Sequence, residues 1–227
     1  MTRFLRQAWT IAAKDLRSEL RNKEAMNAAL SFAVVVLLLF SFAFDPIQQP
    51  DVRELSGGLL WIVYLFCGIL LLNRSFAREA SNDCLDALIA APVPASAIFT
   101  GKALANGVLL LVLELMSLPV FGIFYGVNWL DRVGLLLLVL VLATWAFTVV
   151  GTVFSAITAN HRLRELMLPL LVFPILVPAM MAAVELTTRI LAGEAIGDSM
   201  IWFKLLAGFN VIFSLLGAVL LEVVLVN

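Results

Sequence analysis

The chain is poor in charge and in the side chains that catalysis uses. Only 14% of its 227 residues are Asp, Glu, Lys or Arg, against about 25% in an average soluble domain. Fifteen basic and sixteen acidic residues leave a net charge of −1, so no overall field draws the chain to nucleic acid. The single histidine, His161, stands in a loop beside Arg162 and Arg164, where a solvated role is the ordinary one. The two cysteines, Cys67 and Cys84, form no CxxC pair. One lies in an apolar run and the other in a polar segment, so no disulfide between them is expected. No GxxxxGK[ST] loop is present to cradle phosphates, and there is no HExxH, nucleophile elbow or GxGxxG. With no cluster to supply a nucleophile, a base or a metal site, neither an enzyme nor a directly bound cofactor or metal is expected. The opening "MTRFLRQAWTIAAKDLRSELRNKE" lacks the apolar run and small-residue cleavage site of a secretory signal.

What the chain has instead is apolar length. It is 63% hydrophobic, well above the usual value of about 45–50%, and the excess points to a bilayer. Crossing about 30 Å of hydrocarbon takes about 20 apolar residues. Six segments qualify or nearly so: 25–44, 57–74, 103–127, 134–157, 166–187 and 201–226. Each is read as a helix, because backbone groups in lipid must be paired within their own segment. The expected fold is an all-α integral membrane protein with an interfacial helix over 1–24 and a six-helix transmembrane domain over 25–227.

Charge sets the orientation. With a cytoplasmic N-terminus, one side receives Arg3, Arg6, Lys14, Arg17, Arg21, Lys23, Arg74, Arg78, Lys102, Arg162 and Arg164. The other receives Arg53, Arg132, Arg189 and Lys204. Eleven basic residues against four place both termini in the cytoplasm by the positive-inside rule. Within residues 1–24, Leu5, Trp9, Ala12, Leu16 and Leu20 recur at helical spacing, with Arg6, Lys14, Arg17 and Arg21 largely away from them. Such a helix suits a lipid interface. Glu19 and Lys23 are spaced for an i,i+4 pair. The arm reads either as a topology anchor or as a lever packed on the cytoplasmic mouths of the spans.

The same side receives "SFAREASNDCLDALIAAPVPASAIFTGK", residues 75–102, between spans two and three. Asp83, Leu85, Asp86, Leu88 and Ile89 form a short mixed helix stopped by Pro92 and Pro94. It is too short to span and marginal alone, so a lipid surface or a protein groove must hold it. A groove would take the leucines as anchors at i, i+3 and i+4.

Two features lie within the spans. Glu114 falls near the middle of span three, where an ionised acid costs about 2.5–3.5 kcal/mol on insertion scales. It must be protonated, paired or turned to a protein interior, and Asn106, Thr144, Thr148 and Thr152 are candidate partners. It reads as interhelical glue or as a proton or substrate site. In span five, Pro169, Pro174 and Pro178 each remove a donor. Three so close suggest a bent or broken helix, a candidate hinge, and broken helices often mark transport pathways. Small residues at Gly122 and Gly126, and at Gly151, Ser155 and Ala159, allow close helix packing.

Three stretches, taken in order, carry a family resemblance. They are the arm "KDLRSELRNKE", the long run "GLLWIVYLFCGILLLNRSFAREASNDCLDALIAAPVPASAIFTGK", and "LPLLVFPILVPAMMA" in span five. The chain resembles the B subunit of the cytochrome c maturation system, the haem exporter B family, over almost its whole length. That family is similar to the membrane halves of ABC-2-type transporters. The resemblance implies a bacterial inner-membrane permease subunit for c-type cytochrome biogenesis, with two copies paired and a cytoplasmic ATPase subunit, the A protein, on each. It implies that residues 79–91 are the coupling helix, with Arg78, Glu79, Asp83, Leu85, Asp86, Leu88 and Ile89 meeting the ATPase. It also implies haem-handling membrane subunits, C and D, and a periplasmic haem carrier, E, which the turns around Ile190 to Ser199 would serve by touching the C subunit. ATP would act through the partner, and haem would be handled by the complex. The sequence has no CxxCH and no tryptophan-rich exterior loop, which favours release of the haem-loaded carrier over passage of haem through this subunit. Two other classes stand beside this one: a proton-driven secondary transporter using Glu114, and a scaffold for haem-handling subunits.

Overall fold

The computed structural model describes residues 2–76, 92–159, 163–194 and 197–226, and among them every regular element is helical. Helix α1 runs Thr2–Arg21, α2 Glu24–Phe44, α3 Pro50–Glu54, α4 Ser56–Leu72, α5 Ala95–Tyr125, α6 Val133–Thr158 and α7 Arg164–Ala192. A single 3-10 turn, Gly197–Ser199, leads into α8, Met200–Val226.

Five of these helices, α2, α5, α6, α7 and α8, are long and apolar enough to cross a membrane. The sixth expected span, read as 57–74, corrects to the 17-residue α4. At about 1.5 Å per residue α4 is about 26 Å long, just under the hydrocarbon thickness of about 30 Å. The third span also corrects. It was expected from 103, but α5 begins at Ala95 and runs 31 residues. Pro94 supplies an extended N-cap with φ −64° and ψ 142°, so the helix starts as soon as the prolines end.

The ends of the long helices follow local chemistry. Gly126 closes α5 at φ 61°, and Val127 N–H returns to the Gly122 carbonyl at 3.1 Å. Gly193 closes α7 at φ 77°, and Glu194 N–H returns to the Arg189 carbonyl at 3.0 Å. Both are the left-handed glycine stop that satisfies orphan carbonyls. Glu19, near the end of α1, accepts from the backbone N–H of Met26 at 3.3 Å. Its carboxylate therefore sits at the start of α2, where a negative charge is favoured.

Helix α6 is the most buried of the long helices, and α4 packs on it by close approach at two glycines. A Cβ on Gly68 would stand 2.1 Å from the Phe147 ring, and one on Gly151 would stand 2.2 Å from Leu72. Ser155 Oγ donates to the Leu72 carbonyl at 2.8 Å. The four-residue spacing of Gly151 and Ser155 is thus the α6 side of an α4–α6 seam. Helix α2 joins through its own four-residue ladder, Ala25, Ala29, Ala33, Leu37 and Ser41, all buried. The outward surface is large and apolar, as at Phe42, Ile123 and Leu170, which suits a lipid surround rather than water.

Helix α7 is continuous through Pro169, Pro174 and Pro178, so of the two expected forms, bent or broken, it is not the broken one. Pro174 and Pro178 are exposed and Pro169 is half-buried. The missing donors therefore lie mainly on the outward side, and the buried side, including Leu168, Val172, Leu176, Ala179 and Ala183, keeps its packing. Any bend they impose has its convex side outward, the usual sense for a helix wrapping a core.

Candidate functional site

A row of buried polar residues lies along one face of α5. Lys102, Asn106, Glu114 and Ser117 are all buried on it. At about 1.5 Å per residue the row from 102 to 117 extends about 22 Å.

At the α1 end of the row, Gly101 brings α1 into contact. A Cβ on Gly101 would lie 2.6 Å from the Ala8 carbonyl oxygen and 2.8 Å from Ile11. Lys102 is fully buried. Its Nζ lies 3.2 Å from Asp15 Oδ2 on α1 and donates to the Ser75 carbonyl at 2.7 Å, just past α4. The ammonium also stands 4.5 Å from the centre of the Phe76 ring, a cation–π distance. One turn on, Asn106 Nδ2 donates to Ser75 Oγ at 2.9 Å and to Thr152 Oγ1 on α6 at 3.0 Å. At the same end of the bundle Arg74 pairs with Glu24 at 3.3 Å, and Gln7 Nε2 donates to the Pro92 carbonyl at 3.3 Å.

Deeper in the row, Glu114 is fully buried. Thr144 Oγ1 on α6 lies 2.8 Å from both of its carboxyl oxygens, so one hydroxyl hydrogen serves the pair. The Glu114 backbone carbonyl accepts from Tyr64 Oη of α4 at 3.2 Å, and Ser117 Oγ lies 3.0 Å from the same carbonyl. Trp61 Nε1 donates to Thr187 Oγ1 on α7 at 2.9 Å, joining α4 to α7. The gap beside Glu114, bounded by Trp61, Leu65, Leu110, Phe147 and Met180, has no room for a water molecule. The Thr144 contact joins α5 to α6 at Glu114.

At the opposite end, Arg132 donates to the carbonyls of Gly193 and Glu194 and so ties the α5–α6 loop to the end of α7. Arg189 pairs with Glu185 at 2.6 Å. Between the two ends an open groove of about 470 Å³ runs past Trp61, Met181, Glu185 and Trp202.

The expected partners of Glu114 divide. Thr144 meets it, Asn106 and Thr152 meet each other, and Thr148 donates back to its own helix at the Thr144 carbonyl, 2.9 Å away. The apolar stripe expected on α1 also divides. Ala12 is buried with Ala8, Ile11 and Glu19, whereas Leu5, Trp9 and Leu20 are 57%, 67% and 67% exposed. Helix α1 thus presents one face to α5 and a separate apolar edge outward. The coupling residues Arg78, Glu79, Asp83, Leu85, Asp86, Leu88 and Ile89 lie outside the described residues, as does His161. Lys102, Asp15, Ser75 and Tyr64 were not among the expected site residues. The signal was the recurrence of Lys102, Asn106 and Glu114 at multiples of four, which becomes one helix face once α5 is extended back to Ala95. Among the described residues no three His, Cys, Asp or Glu side chains come together as a metal site.

A family model described as CcmB protein matches residues 6–222 of the chain. Among curated relatives, "Heme exporter protein B" of Rhodobacter capsulatus is 31% identical over 191 residues, covering 82% of this chain and 84% of the relative. The protein of the same description from Paracoccus denitrificans is 31% identical over 180 residues, covering 79% and 82%. That from Pseudomonas aeruginosa is 27% identical over 193 residues, covering 85% of each.

Proposed function

The chain belongs to the CcmB protein family, and on that premise we propose that it is the permease subunit of an ABC-type complex for c-type cytochrome biogenesis. The observation that carries this reading is the family match over residues 6–222, which takes in every long apolar helix. The relatives' description, heme exporter, supplies the cargo class. The sequence has no phosphate loop of its own, so ATP hydrolysis is assigned to a separate cytoplasmic subunit. In this reading α4 serves as a sixth span, both termini are cytoplasmic and the membrane is the bacterial inner membrane.

Mechanism follows from where the chain is held. ATPase closure pushes on residues 79–91, with Leu85, Leu88 and Ile89 as anchors and Arg78, Glu79, Asp83 and Asp86 around them. The push reaches the bundle through the ends of α4 and α5 that flank the segment. Helix α7, with Pro169, Pro174 and Pro178 along it, carries the movement toward the end held by Arg132. There the complex exports haem or releases the haem-loaded carrier E from the C and D subunits. A second copy of the chain completes the permease.

The test is to purify the chain with its native partners and ask which subunits and haem species come with it, with and without ATP. Leu85→Asp with Leu88→Asp should detach the ATPase subunit while membrane insertion stays normal. Normal ATPase recovery with that double variant would remove the coupling role. A reporter fusion that places Asp83 on the outer face would remove the whole reading.

A further inference from the structure

We propose that Lys102 and Asn106 are positioning residues that clamp Ser75, and that seating of α1 strengthens the clamp. The proposal rests on the coupling reading above and names the contact through which a push would enter the bundle.

Ser75 lies just past the end of α4 at Leu72. It is gripped at two atoms by side chains one helical turn apart on α5. Its carbonyl accepts from Lys102 Nζ at 2.7 Å, and its hydroxyl accepts from Asn106 Nδ2 at 2.9 Å. Each grip is backed by a different helix. Asn106 is steadied by Thr152 of α6 at 3.0 Å, and Lys102 by Asp15 of α1 at 3.2 Å. The exit of α4 is thereby tied to α5, α6 and α1 at once.

The two grips differ in kind. Asn106 is neutral and its bonds are interchangeable with other polar contacts. Lys102 is a fully buried ammonium, and a buried charge is tolerated only while its counter-charge and hydrogen-bond acceptors stay in place. A counter-charge, Asp15, is on α1, whose approach depends on the bare backbone of Gly101 beneath Ala8. Lifting α1 takes Asp15 away from Lys102 and weakens its hold on the Ser75 carbonyl. Pushing Ser75 aside removes an acceptor from Lys102 and loosens α1. Seating of α1 and placement of the α4 exit are therefore coupled. Gln7 of α1 also donates to the carbonyl of Pro92, just before α5, so α1 is fastened near the exit of α4 and the entry of α5.

The experiment uses the full chain expressed with its partners. Ala8→Cys, in a background where Cys67 and Cys84 are replaced by alanine, reports seating of α1, because Ala8 is buried at that contact. Its labelling by a membrane-impermeant maleimide is followed together with ATPase co-purification and c-type cytochrome yield. Asp15→Asn should raise the labelling rate at least about tenfold, since it takes a counter-charge from a buried ammonium. It should lower cytochrome yield several-fold while the ATPase subunit still co-purifies. Adding Lys102→Met to Asp15→Asn removes the buried charge. It should return labelling to the starting rate but leave cytochrome yield low, because the Ser75 carbonyl has lost the Lys102 donor. Unchanged labelling in Asp15→Asn overturns the clamp, as does a Lys102→Met, Asp15→Asn chain that restores both readouts. Raised labelling with full cytochrome yield overturns its part in coupling. If no ATPase subunit co-purifies with the unaltered chain, the coupling reading has failed, and the labelling rates alone decide whether the clamp exists.

Discussion

Gly101 and Ala8 meet backbone to backbone: a Cβ added to Gly101 would stand 2.6 Å from the Ala8 carbonyl oxygen. No side chain larger than hydrogen fits there without moving α1. Gly101→Val should lift α1 from α5 while the long apolar helices still insert. Trypsin cleavage after Arg17 and Arg21 should then quicken several-fold in membranes opened to the protease. Equal cleavage rates would mean that α1 is held elsewhere.

Thr144 and Glu114 give a second prediction. Polar contacts between helices in a bilayer are worth about 0.6 kcal/mol on average and up to about 1.7 kcal/mol. Thr144→Val should cost a stability in that range, read from unfolding in mild detergent. Glu114→Gln keeps an acceptor for Thr144 and should leave both stability and cytochrome yield near the starting values. A chain that assembles with its partners yet loses activity in Glu114→Gln would show a proton or substrate role instead.

The packing of Gly68 under Phe147 is a third. Gly68→Ala puts a methyl into the ring, and overpacking of this kind typically costs about 1–3 kcal/mol. Phe147→Leu should recover much of that loss in the double variant, where each change alone is destabilising. Simple addition of the two losses would show that the close approach does not govern α4–α6 packing.

Pro174 and Pro178 supply the fourth. Alanine at either position restores a backbone donor toward the carbonyl of Leu170 or Pro174 and stiffens α7. Insertion and co-purification should hold while cytochrome yield falls, if flexure of α7 is used in the working cycle. Unaltered yield from the double Pro→Ala chain would show that the prolines only shape the resting helix.

The long helices were legible because lipid imposes a simple rule on composition. The segments read as 25–44, 134–157 and 201–226 match α2, α6 and α8 to within a residue or two. The start of α5 was not, and Lys102 is the reason. A lysine beside an apolar run marks the water boundary when it is solvated. Here it is inside the helix, and its charge is met by Asp15, 87 residues away in sequence. The same long-range pairing hid the site. Asn106 and Thr152 were legible as polar groups in apolar spans, but Ser75 and Asp15 look like ordinary solvated residues until the fold brings them to α5. The stripe on α1 was read as one face because Leu5, Trp9 and Ala12 share helical spacing. Periodicity cannot divide a stripe between a protein neighbour and an outward edge when both accept apolar groups. Helix α7 runs unbroken through Pro169, Pro174 and Pro178 for a related reason: no water competes for the freed carbonyls, and neighbouring groups in a bundle can accommodate them.

The alanine ladder on α2 has a consequence for how that helix keeps its place. Steps at Ala25, Ala29 and Ala33 are nearly identical in shape, so a slide of one turn would put each methyl where another had been. Steric fit along that stretch therefore says little about vertical alignment. The position is pinned mainly by groups that cannot be exchanged in this way: Ser41 Oγ on the Phe124 carbonyl at 2.9 Å, and Tyr125 Oη on the Leu37 carbonyl at 3.1 Å. Helix α2 is thus smooth along its alanines and indexed at its ends, by these two bonds and by Glu19 and Arg74 at its start.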